Sequence, residues 1–331
     1  MALFLTEDDV EKLLSMPLAI EAVTQSFLDL ASGKATLHPR QRLHVPGMSY
    51  LHYMAGADAA SGYMGLKIYT SSKEGLRFLV PLFHIDTGDL AALIEANYLG
   101  QMRTGAASAV ATRAMARDDA RRVGIIGTGL QARTQLEAVA SVRKIERIEV
   151  YGRDQGRREQ FARDMSRKLN IPVNAANTAE EAVRGADIVI TSTTSSKPVM
   201  EGKWILPGAH INAISANFLE KRELDDEAVR RADIVVADSR EQSRLESGDL
   251  VKVFAEDPSR WENVHDLADV VAGKVKGRTN AQQITLFKSN GIATEDVVVA
   301  GRILELAKEK GLGREVQLWK KSFPVAEARD A

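Results

Sequence analysis

The residues between positions 127 and 132 combine types and spacing that suit the binding of a phosphate-bearing nucleotide. Gly127, Gly129 and Ala132 occupy the small positions of the pattern G-x-G-x-x-G/A. The first glycine permits a tight turn, the second lets the backbone approach a pyrophosphate, and the third small residue keeps strand and helix close. An apolar run precedes the turn and a helical pattern follows it, so the phosphates would face a helix N-terminus. The predicted cofactor contacts are Gly127, Thr128, Gly129, Leu130, Gln131 and Ala132.

The end of the next strand bears on which dinucleotide is bound. An acid about 20 residues after such a turn would favour NAD by binding the ribose 2′-hydroxyl. Here the run "IEVYG" ends in Gly152, Arg153 and Asp154. A guanidinium at Arg153 suits bidentate contact with a 2′-phosphate, so NADP(H) is favoured. NAD(H) stays possible if Asp154 turns inward, and the basic residues here are alternatively a solvated first helical turn.

These residues need a scaffold, and the pattern of the chain predicts one. From 123 to 240, short β-rich runs alternate with helical stretches, which predicts a parallel sheet covered by helices. Ser192, Thr193 and Ile214 end two of these runs, and we assign them to the cofactor site. Residues 1–110 begin with helical pattern and continue as strand-like runs without regular helices, which favours an antiparallel or mixed sheet. The expected fold class is therefore α/β, a Rossmann-type domain with a second α+β domain.

Composition excludes several classes of function. A net charge of −1 provides no overall field for nucleic acid or an anionic membrane. The chain has no cysteine, which rules out disulfides, a thiolate nucleophile and a cysteine zinc site, and we expect a cytoplasmic protein. The N-terminus lacks a secretory signal pattern, and no window approaches the roughly 18 apolar residues of a membrane span. The six histidines show no metal-binding spacing, and we expect no metal.

Several ordered motifs together are more specific than the glycine turn. "MRTGAASAVAT", "GIIGTGLQA", "GAHINAIS", "RELD", "SGDL", "VVAGKVKGR" and "LFKSNGIATEDV" resemble the ornithine cyclodeaminase/μ-crystallin family over nearly the whole chain. The resemblance implies a substrate-binding and dimerisation domain of residues 1–113 with 300–331, and a Rossmann NAD(P)-binding domain of residues 114–299. It also implies a homodimer that transfers hydride at the α-carbon of a small amino or imino acid.

The resemblance places three basic residues at the substrate carboxylate. Lys67 in "GLKIYT" and Arg103 in "MRTGA" match family positions, and the third is Arg40 or Arg42, with Arg40 preferred because it follows Pro39. A planar guanidinium suits a carboxylate. A lysine beside arginines in a partly dry pocket has its ammonium form disfavoured, so Lys67 is the predicted proton donor or carboxylate anchor.

Two positions depart from the ornithine cyclodeaminase pattern. Asn217 stands where the family acid would be, and it completes the predicted catalytic set with Lys67 and Arg103. An amide accepts no proton as a carboxylate does, although it can hydrogen-bond an amine or imine. His52 stands where a glutamate would meet a side-chain amine, and is either a substrate contact or an ordinary strand histidine. The loss of both acids argues against ornithine cyclisation.

Three hypotheses follow. The first is an NAD(P)H-dependent reductase of a small imino acid, for example Δ1-pyrroline-2-carboxylate or Δ1-piperideine-2-carboxylate. The second is an alanine-type dehydrogenase, or an ornithine cyclodeaminase in which another residue replaces the missing acid. The third is a protein that binds NADP(H) and a small ligand without turnover.

Overall fold

The computed structural model describes residues 1–319 and contains two β-sheets. The first sheet is mixed: β1 pairs parallel with β6 and antiparallel with β15, and β2 to β6 form an antiparallel meander. Its order is β15-β1-β6-β5-β4-β3-β2. The strands are β1 (Ala2–Leu5), β2 (Ala35–Val45), β3 (Ser49–Asp58), β4 (Tyr63–Ser72), β5 (Gly75–His84), β6 (Leu90–Glu95) and β15 (Arg314–Val316).

The second sheet is parallel in every pairing, with the order β13-β12-β14-β11-β10-β7-β8-β9. Its strands are β7 (Arg122–Ile126), β8 (Arg147–Tyr151), β9 (Val173–Ala175), β10 (Ile188–Thr191), β11 (His210–Ala213), β12 (Ile234–Ala237), β13 (Val264–Asp266) and β14 (Thr285–Lys288). The chain adds strands to one side of β7 and then to the other, beginning with β10. The carboxyl ends of β7 and β10 therefore form a topological switch point, where ligands bind in open α/β sheets.

Eleven α-helices lie among residues 1–319 and cover the sheets. They are α1 (Glu7–Leu13), α2 (Met16–Ala31), α3 (Asn97–Met115), α4 (Leu130–Val142), α5 (Gln155–Leu169), α6 (Ala179–Val183), α7 (Asp226–Arg230), α8 (Arg240–Glu246), α9 (Gly248–Phe254), α10 (Leu267–Val271) and α11 (Ala293–Lys310). Two apolar clusters pack on the parallel sheet, and a third joins the first sheet to α2, α3 and α11. No single helix of this set has both the length and the apolar composition of a membrane span; α1 and α2 reach them only as a pair bent by 90°.

Helix α3 connects the two sheets and brings Arg103, a predicted substrate residue, close to the helix that follows the glycine turn. It packs closely on α4, the helix that follows the glycine turn. A Cβ on Gly105 of α3 would lie only 2.7 Å from the Thr134 carbonyl oxygen of α4, so glycine permits this approach. The small residues of "TGAASAVAT" are thus explained by the packing of α3, which is buried along most of its length.

The fold class predicted from sequence is confirmed, including the mixed character of the first sheet. The sequence analysis missed the five short strands β1, β9, β13, β14 and β15, and β14 among them lies in the middle of the parallel sheet between β11 and β12. The predicted domain limits at 113/114 and 299/300 fall inside α3 and α11, because each helix continues across the limit. The domain division stays a prediction, and its residues 320–331 lie outside the described part of the chain.

Candidate active site

A cavity of about 560 Å³ lies between the inner face of the first sheet and the carboxyl ends of the parallel strands. The first sheet and α3 provide one side of it. The loops after β10, β11 and β14, together with α4, provide the other. Residues predicted from sequence that line it are Arg40, His52, Lys67, Arg103, Gln131, Thr193, Ile214 and Asn217. The fold thus brings to one cavity the predicted substrate residues other than Arg42, together with three of the predicted cofactor residues.

Lys67 and Arg103 form the buried cationic end of the cavity. The Lys67 Nζ donates to Asp296 Oδ1 at 2.8 Å, and the Arg103 Nε donates to the same oxygen at 3.2 Å. Arg103 also pairs with Glu295 at 2.8 Å. Both carboxylates come from the first turn of α11, which packs against β3 and β4. The two cations are thereby held in fixed positions at the cavity wall.

Arg40 and Arg42 share one carboxylate at the neighbouring edge of the cavity. Both guanidinium groups pair with Glu246, the last residue of α8. Arg40 is buried, lines the cavity and donates to the Asn290 carbonyl oxygen at 2.8 Å. Arg42 is more exposed and donates to the Asn217 carbonyl oxygen at 2.6 Å. Arg40 is therefore the better placed of the two alternatives for contact with a substrate.

Burial and neighbouring charges shift the ionisation of this cluster. Burial, helped by the positive charge of Arg103, lowers the pKa of Lys67 to about 8. Burial also acts to lower the pKa of Arg103. The carboxylates of Asp296 and Glu295 outweigh this effect and raise the pKa of Arg103, so that its guanidinium stays charged. Burial raises the pKa of Glu295 to about 8. Lys67 can therefore exchange a proton near neutral pH, which suits an acid–base role.

The charge count at this end favours an anionic ligand. The four cations of the cluster pair directly with three carboxylates, those of Glu246, Glu295 and Asp296. These direct pairs leave one cation without a carboxylate of its own, and the further carboxylate near Arg103, that of Asp238, accepts from the backbone N–H groups of Asn290 and Gly291 and has its pKa raised by burial. A charge in a buried site requires a compensating partner, and a ligand carboxylate would supply it.

The glycine turn has the geometry that a dinucleotide requires. Gly127 adopts φ +125°, and a Cβ there would lie 2.1 Å from the Ser192 carbonyl oxygen, so only glycine fits between β7 and β10. Gly129 is the N-cap of α4 and caps it with no side chain. A Cβ on Gly129 would meet nothing within 4 Å, so the approach to the first N–H groups of the helix is open. The residues present therefore fit a bound pyrophosphate.

The end of β8 lies beside this turn. A Cβ on Gly152 would lie 2.8 Å from Thr128 Cγ2, which places the two predicted contacts side by side. The Arg153 side chain is exposed. Asp154 is the N-cap of α5, and its Oδ1 accepts from the Arg157 backbone N–H at 2.7 Å. Asp154 is thus engaged in capping its own helix.

Glu223 joins the strand ends that border the cavity. Its buried carboxylate accepts from the backbone N–H of Thr193, after β10, at 2.5 Å and from that of Ser215, after β11, at 3.2 Å. Burial, with the nearby charge of Asp249, raises the pKa of Glu223 to about 7. Lys288 pairs with Asp249 at 3.1 Å, which completes a buried polar group behind these loops.

The sequence analysis missed every carboxylate partner of the cations. In the sequence, Glu295 and Asp296 are acids in the first turn of a helix. Acids are common there because they interact favourably with the helix dipole, so neither residue indicated a further role. Glu246 lies in "SRLESGDL" and carried no signal beyond the family motif. Among residues 1–319, no three histidine, aspartate or glutamate side chains are grouped so as to hold a metal ion. His210 is buried and hydrogen-bonds Thr285 and Asn212, a structural role.

The fold and the site define a two-domain α/β oxidoreductase with a Rossmann-type nucleotide-binding sheet. The chain belongs to the ornithine cyclodeaminase/mu-crystallin family, whose match covers residues 1–311. It is similar to a Δ1-pyrroline-2-carboxylate reductase of Bacillus cereus, with 36% identity over 262 residues, 77% of this chain and 80% of that protein.

Two solved structures are similar over almost the whole chain. One is the Thermococcus litoralis Δ1-pyrroline-2-carboxylate reductase in complex with NADH and L-proline, with 40% identity and a TM-score of 0.91, covering 95% of this chain and 100% of that one. The other is an archaeal alanine dehydrogenase dimer with bound NAD, with 33% identity and a TM-score of 0.90, covering 96% and 99%. The family resemblance predicted from the motifs is confirmed.

Proposed function

We propose that this protein is an NAD(P)H-dependent reductase of a small cyclic imino acid such as Δ1-pyrroline-2-carboxylate or Δ1-piperideine-2-carboxylate. The observation that carries the proposal is the position of Lys67 and Arg103 at one end of a cavity whose other end is bordered by the glycine-turn helix. The similarity to reductases of this substrate type supports the same assignment.

The chemistry assigns a role to each side chain. Arg40 and Arg103 would hold the substrate carboxylate, so that the imine carbon is oriented for reaction. A bound reduced nicotinamide supplies the hydride that adds to the imine carbon. The Lys67 ammonium would donate a proton to the imine nitrogen, so that C=N becomes CH–NH and the atoms and charge balance. Asn217 would hydrogen-bond the imine or amine from the rim.

The proposed cofactor preference is NADP(H). The exposed guanidinium of Arg153 at the end of β8 suits a 2′-phosphate, and Asp154, the nearest acid, is occupied as a helix cap. The two solved relatives carry NADH and NAD, so the preference is testable against them. Arg153→Ala should raise the KM for NADPH about tenfold and leave the KM for NADH nearly unchanged. Arg163→Ala, on the exposed side of α5, is the matched control.

An alanine-type dehydrogenase is the second candidate, supported by the similarity to the archaeal alanine dehydrogenase. An ornithine cyclodeaminase is disfavoured. Within residues 1–319 the only carboxylate lining the cavity is Glu220, which is exposed at the rim, so no buried acid faces a substrate amine. Asn217 and His52 stand where the cyclodeaminase acids would be.

We also propose that the protein is a homodimer. The outer face of the first sheet exposes apolar side chains on adjacent strands, namely Leu51, Tyr53, Met64 and Leu79. Contiguous apolar faces of this kind are usually covered by a partner. Light scattering after size exclusion should give twice the chain mass, and Tyr53→Lys should shift the protein towards a monomer.

The experiment that tests the catalytic proposal records cofactor oxidation at 340 nm. NADPH and NADH are each combined with Δ1-pyrroline-2-carboxylate, Δ1-piperideine-2-carboxylate, and pyruvate plus ammonia or methylamine. Faster turnover of a cyclic imine would support the reductase, and faster turnover of pyruvate plus ammonia would support the dehydrogenase. If neither cofactor is oxidised with any of these substrates, the proposal is wrong and a binding role without turnover gains weight.

A further inference from the structure

Four stacked rings form one wall of the cavity. Tyr50 and His52 of β3, Tyr69 of β4 and Phe78 of β5 all line it. The ring centroids of His52 and Tyr69 are 4.2 Å apart with the planes at 4°, and those of Tyr69 and Phe78 are 5.1 Å apart at 26°. These rings are cross-strand partners, since His52 pairs with Tyr69 and Tyr69 with Phe78. The antiparallel meander therefore builds a continuous ring surface.

A fifth ring, that of Phe218, meets this wall edge to face. Phe218, in the loop after β11, meets Tyr50 edge to face with centroids 6.1 Å apart, and His52 with centroids 6.0 Å apart. Two cations lie over the Phe218 ring, with Arg42 Cζ at 4.3 Å and Lys221 Nζ at 4.9 Å from its centroid. Phe218 lies on the opposite side of the cavity from the strands, and these two cations hold its ring in place.

The aromatic wall is uncharged. Burial, with the positive charges of Arg42 and Arg40, lowers the pKa of His52 to about 4, so its imidazole is neutral at neutral pH. The cationic end and the aromatic wall meet at Lys67, whose Nζ lies 5.5 Å from the Phe78 ring centroid. A ligand whose carboxylate is held by Arg40 and Arg103, with its imine nitrogen at Lys67, would therefore lay its remaining atoms along the rings.

We propose that this aromatic wall selects among cyclic imine carboxylates, and that it favours aryl-fused rings over saturated ones. The inference rests on the proposed reductase function and specifies its substrate. Because the rings stack on one another, they present their edges to the cavity, and a flat ligand ring lying across them gains edge-to-face contacts that an open-chain imine lacks.

Turnover is the first test. The imines are 3,4-dihydroisoquinoline-1-carboxylate, Δ1-piperideine-2-carboxylate, and the open-chain imines of methylamine with pyruvate and with oxaloacetate. The expected kcat/KM is about three- to tenfold higher for the aryl-fused than for the saturated ring. Both cyclic imines should exceed the open-chain imines by at least about tenfold. Equal values for cyclic and open-chain imines would overturn the proposal.

Direct binding keeps the inference separate from the reductase proposal. Calorimetry compares the Kd of the product amines, 1,2,3,4-tetrahydroisoquinoline-1-carboxylate and pipecolate, in the presence of NADP⁺. Tighter binding of the aryl-fused amine without turnover of any imine would support the ligand class and contradict the reductase. Turnover of imines with tighter binding of pipecolate would keep the reductase and overturn the inference.

Two variants locate the effect on the wall. Phe78→Leu keeps an apolar side chain without a ring, and should bring the aryl-fused to saturated ratio close to one, mainly through KM. Tyr69→Phe keeps the ring and should keep the ratio. Thermal unfolding of both variants checks that they fold. A ratio that is unaffected in folded Phe78→Leu would show that the ring surface does not select the substrate.

Discussion

The two ends of the cavity are built in different ways. At the cofactor end, the turn from Gly127 to Gly129 presents backbone, and the first N–H groups of α4 have no side-chain cap. At the substrate end, Lys67 and Arg103 are long side chains, each held by a carboxylate of α11. The cofactor end needs no partner groups, because its hydrogen-bond donors are backbone N–H groups that the local backbone geometry holds in position. The substrate end needs partners, because buried cations without them would be strongly destabilising.

The difference implies that substitutions at the two ends should change different measured properties of the protein. Changes at the cofactor end alter the shape of a backbone surface, so they should act on cofactor affinity. Changes at the substrate end alter charge and ionisation, so they should act on rate and on its dependence on pH. Four substitutions test this contrast.

Lys67→Ala should have the largest effect. Removing the proposed proton donor should lower kcat/KM for a cyclic imine by about 10³-fold. Fluorescence titration of NADPH should give an unchanged Kd, because the Lys67 ammonium bonds to Asp296 and not to the glycine turn. Lys73→Ala, in the exposed turn between β4 and β5, is the control and should retain full activity. A loss of less than about threefold would rule out Lys67 as the donor.

Gly129→Ala should weaken NADPH binding about tenfold while the protein stays folded. A Cβ at Gly129 meets no protein atom within 4 Å, so the fold has no reason to change, whereas a pyrophosphate approaching the helix would be obstructed. Titration gives the Kd, and thermal unfolding of the cofactor-free protein gives the control. Wild-type affinity in this variant would contradict the assignment of the turn.

Asp296→Asn should shift the pH profile. In the proposed mechanism the protonated form of Lys67 donates the proton, so kcat/KM should fall as pH rises through about 8, the pKa of Lys67. The carboxylate of Asp296 raises that pKa, and without it the alkaline limb should move to lower pH. Glu309→Gln, exposed near the end of the same helix, is the control. If activity falls but the alkaline limb of the pH profile stays at the same pH, Asp296 has only a structural role.

Ala216→Gly should have the smallest effect, on stability. Ala216 borders the cavity with φ +58°, a left-handed conformation that costs a residue with a Cβ about 1–2 kcal/mol. Glycine relieves this strain but gains freedom in the unfolded chain, which leaves a net rise of about 0.5–1 kcal/mol in the free energy of unfolding. Chemical denaturation measures it. A lower stability of the variant would show that the strain is not relieved.

Much of the fold followed from the pattern of the chain. The alternation of β-rich and helical runs predicted the parallel sheet, and Gly127 to Ala132 predicted the turn, because each signal involves neighbouring residues. The strand β14 was missed, since four residues between irregular segments carry too little periodicity. The wall formed by His52, Tyr69 and Phe78 was also invisible, because it depends on strand register rather than on spacing along one strand.

The sequence by itself determined the fold class, the nucleotide-binding turn and, through the family motifs, the cationic residues. Only the tertiary structure decided which acids hold those cations. Lys67 and Asp296 are 229 positions apart, and Arg40 and Glu246 are 206 apart. Local sequence can specify a turn or a helix cap because those contacts lie within a few residues. A buried ion pair is decided by which elements pack together, and the packing of α11 against β4 brings Asp296 to Lys67.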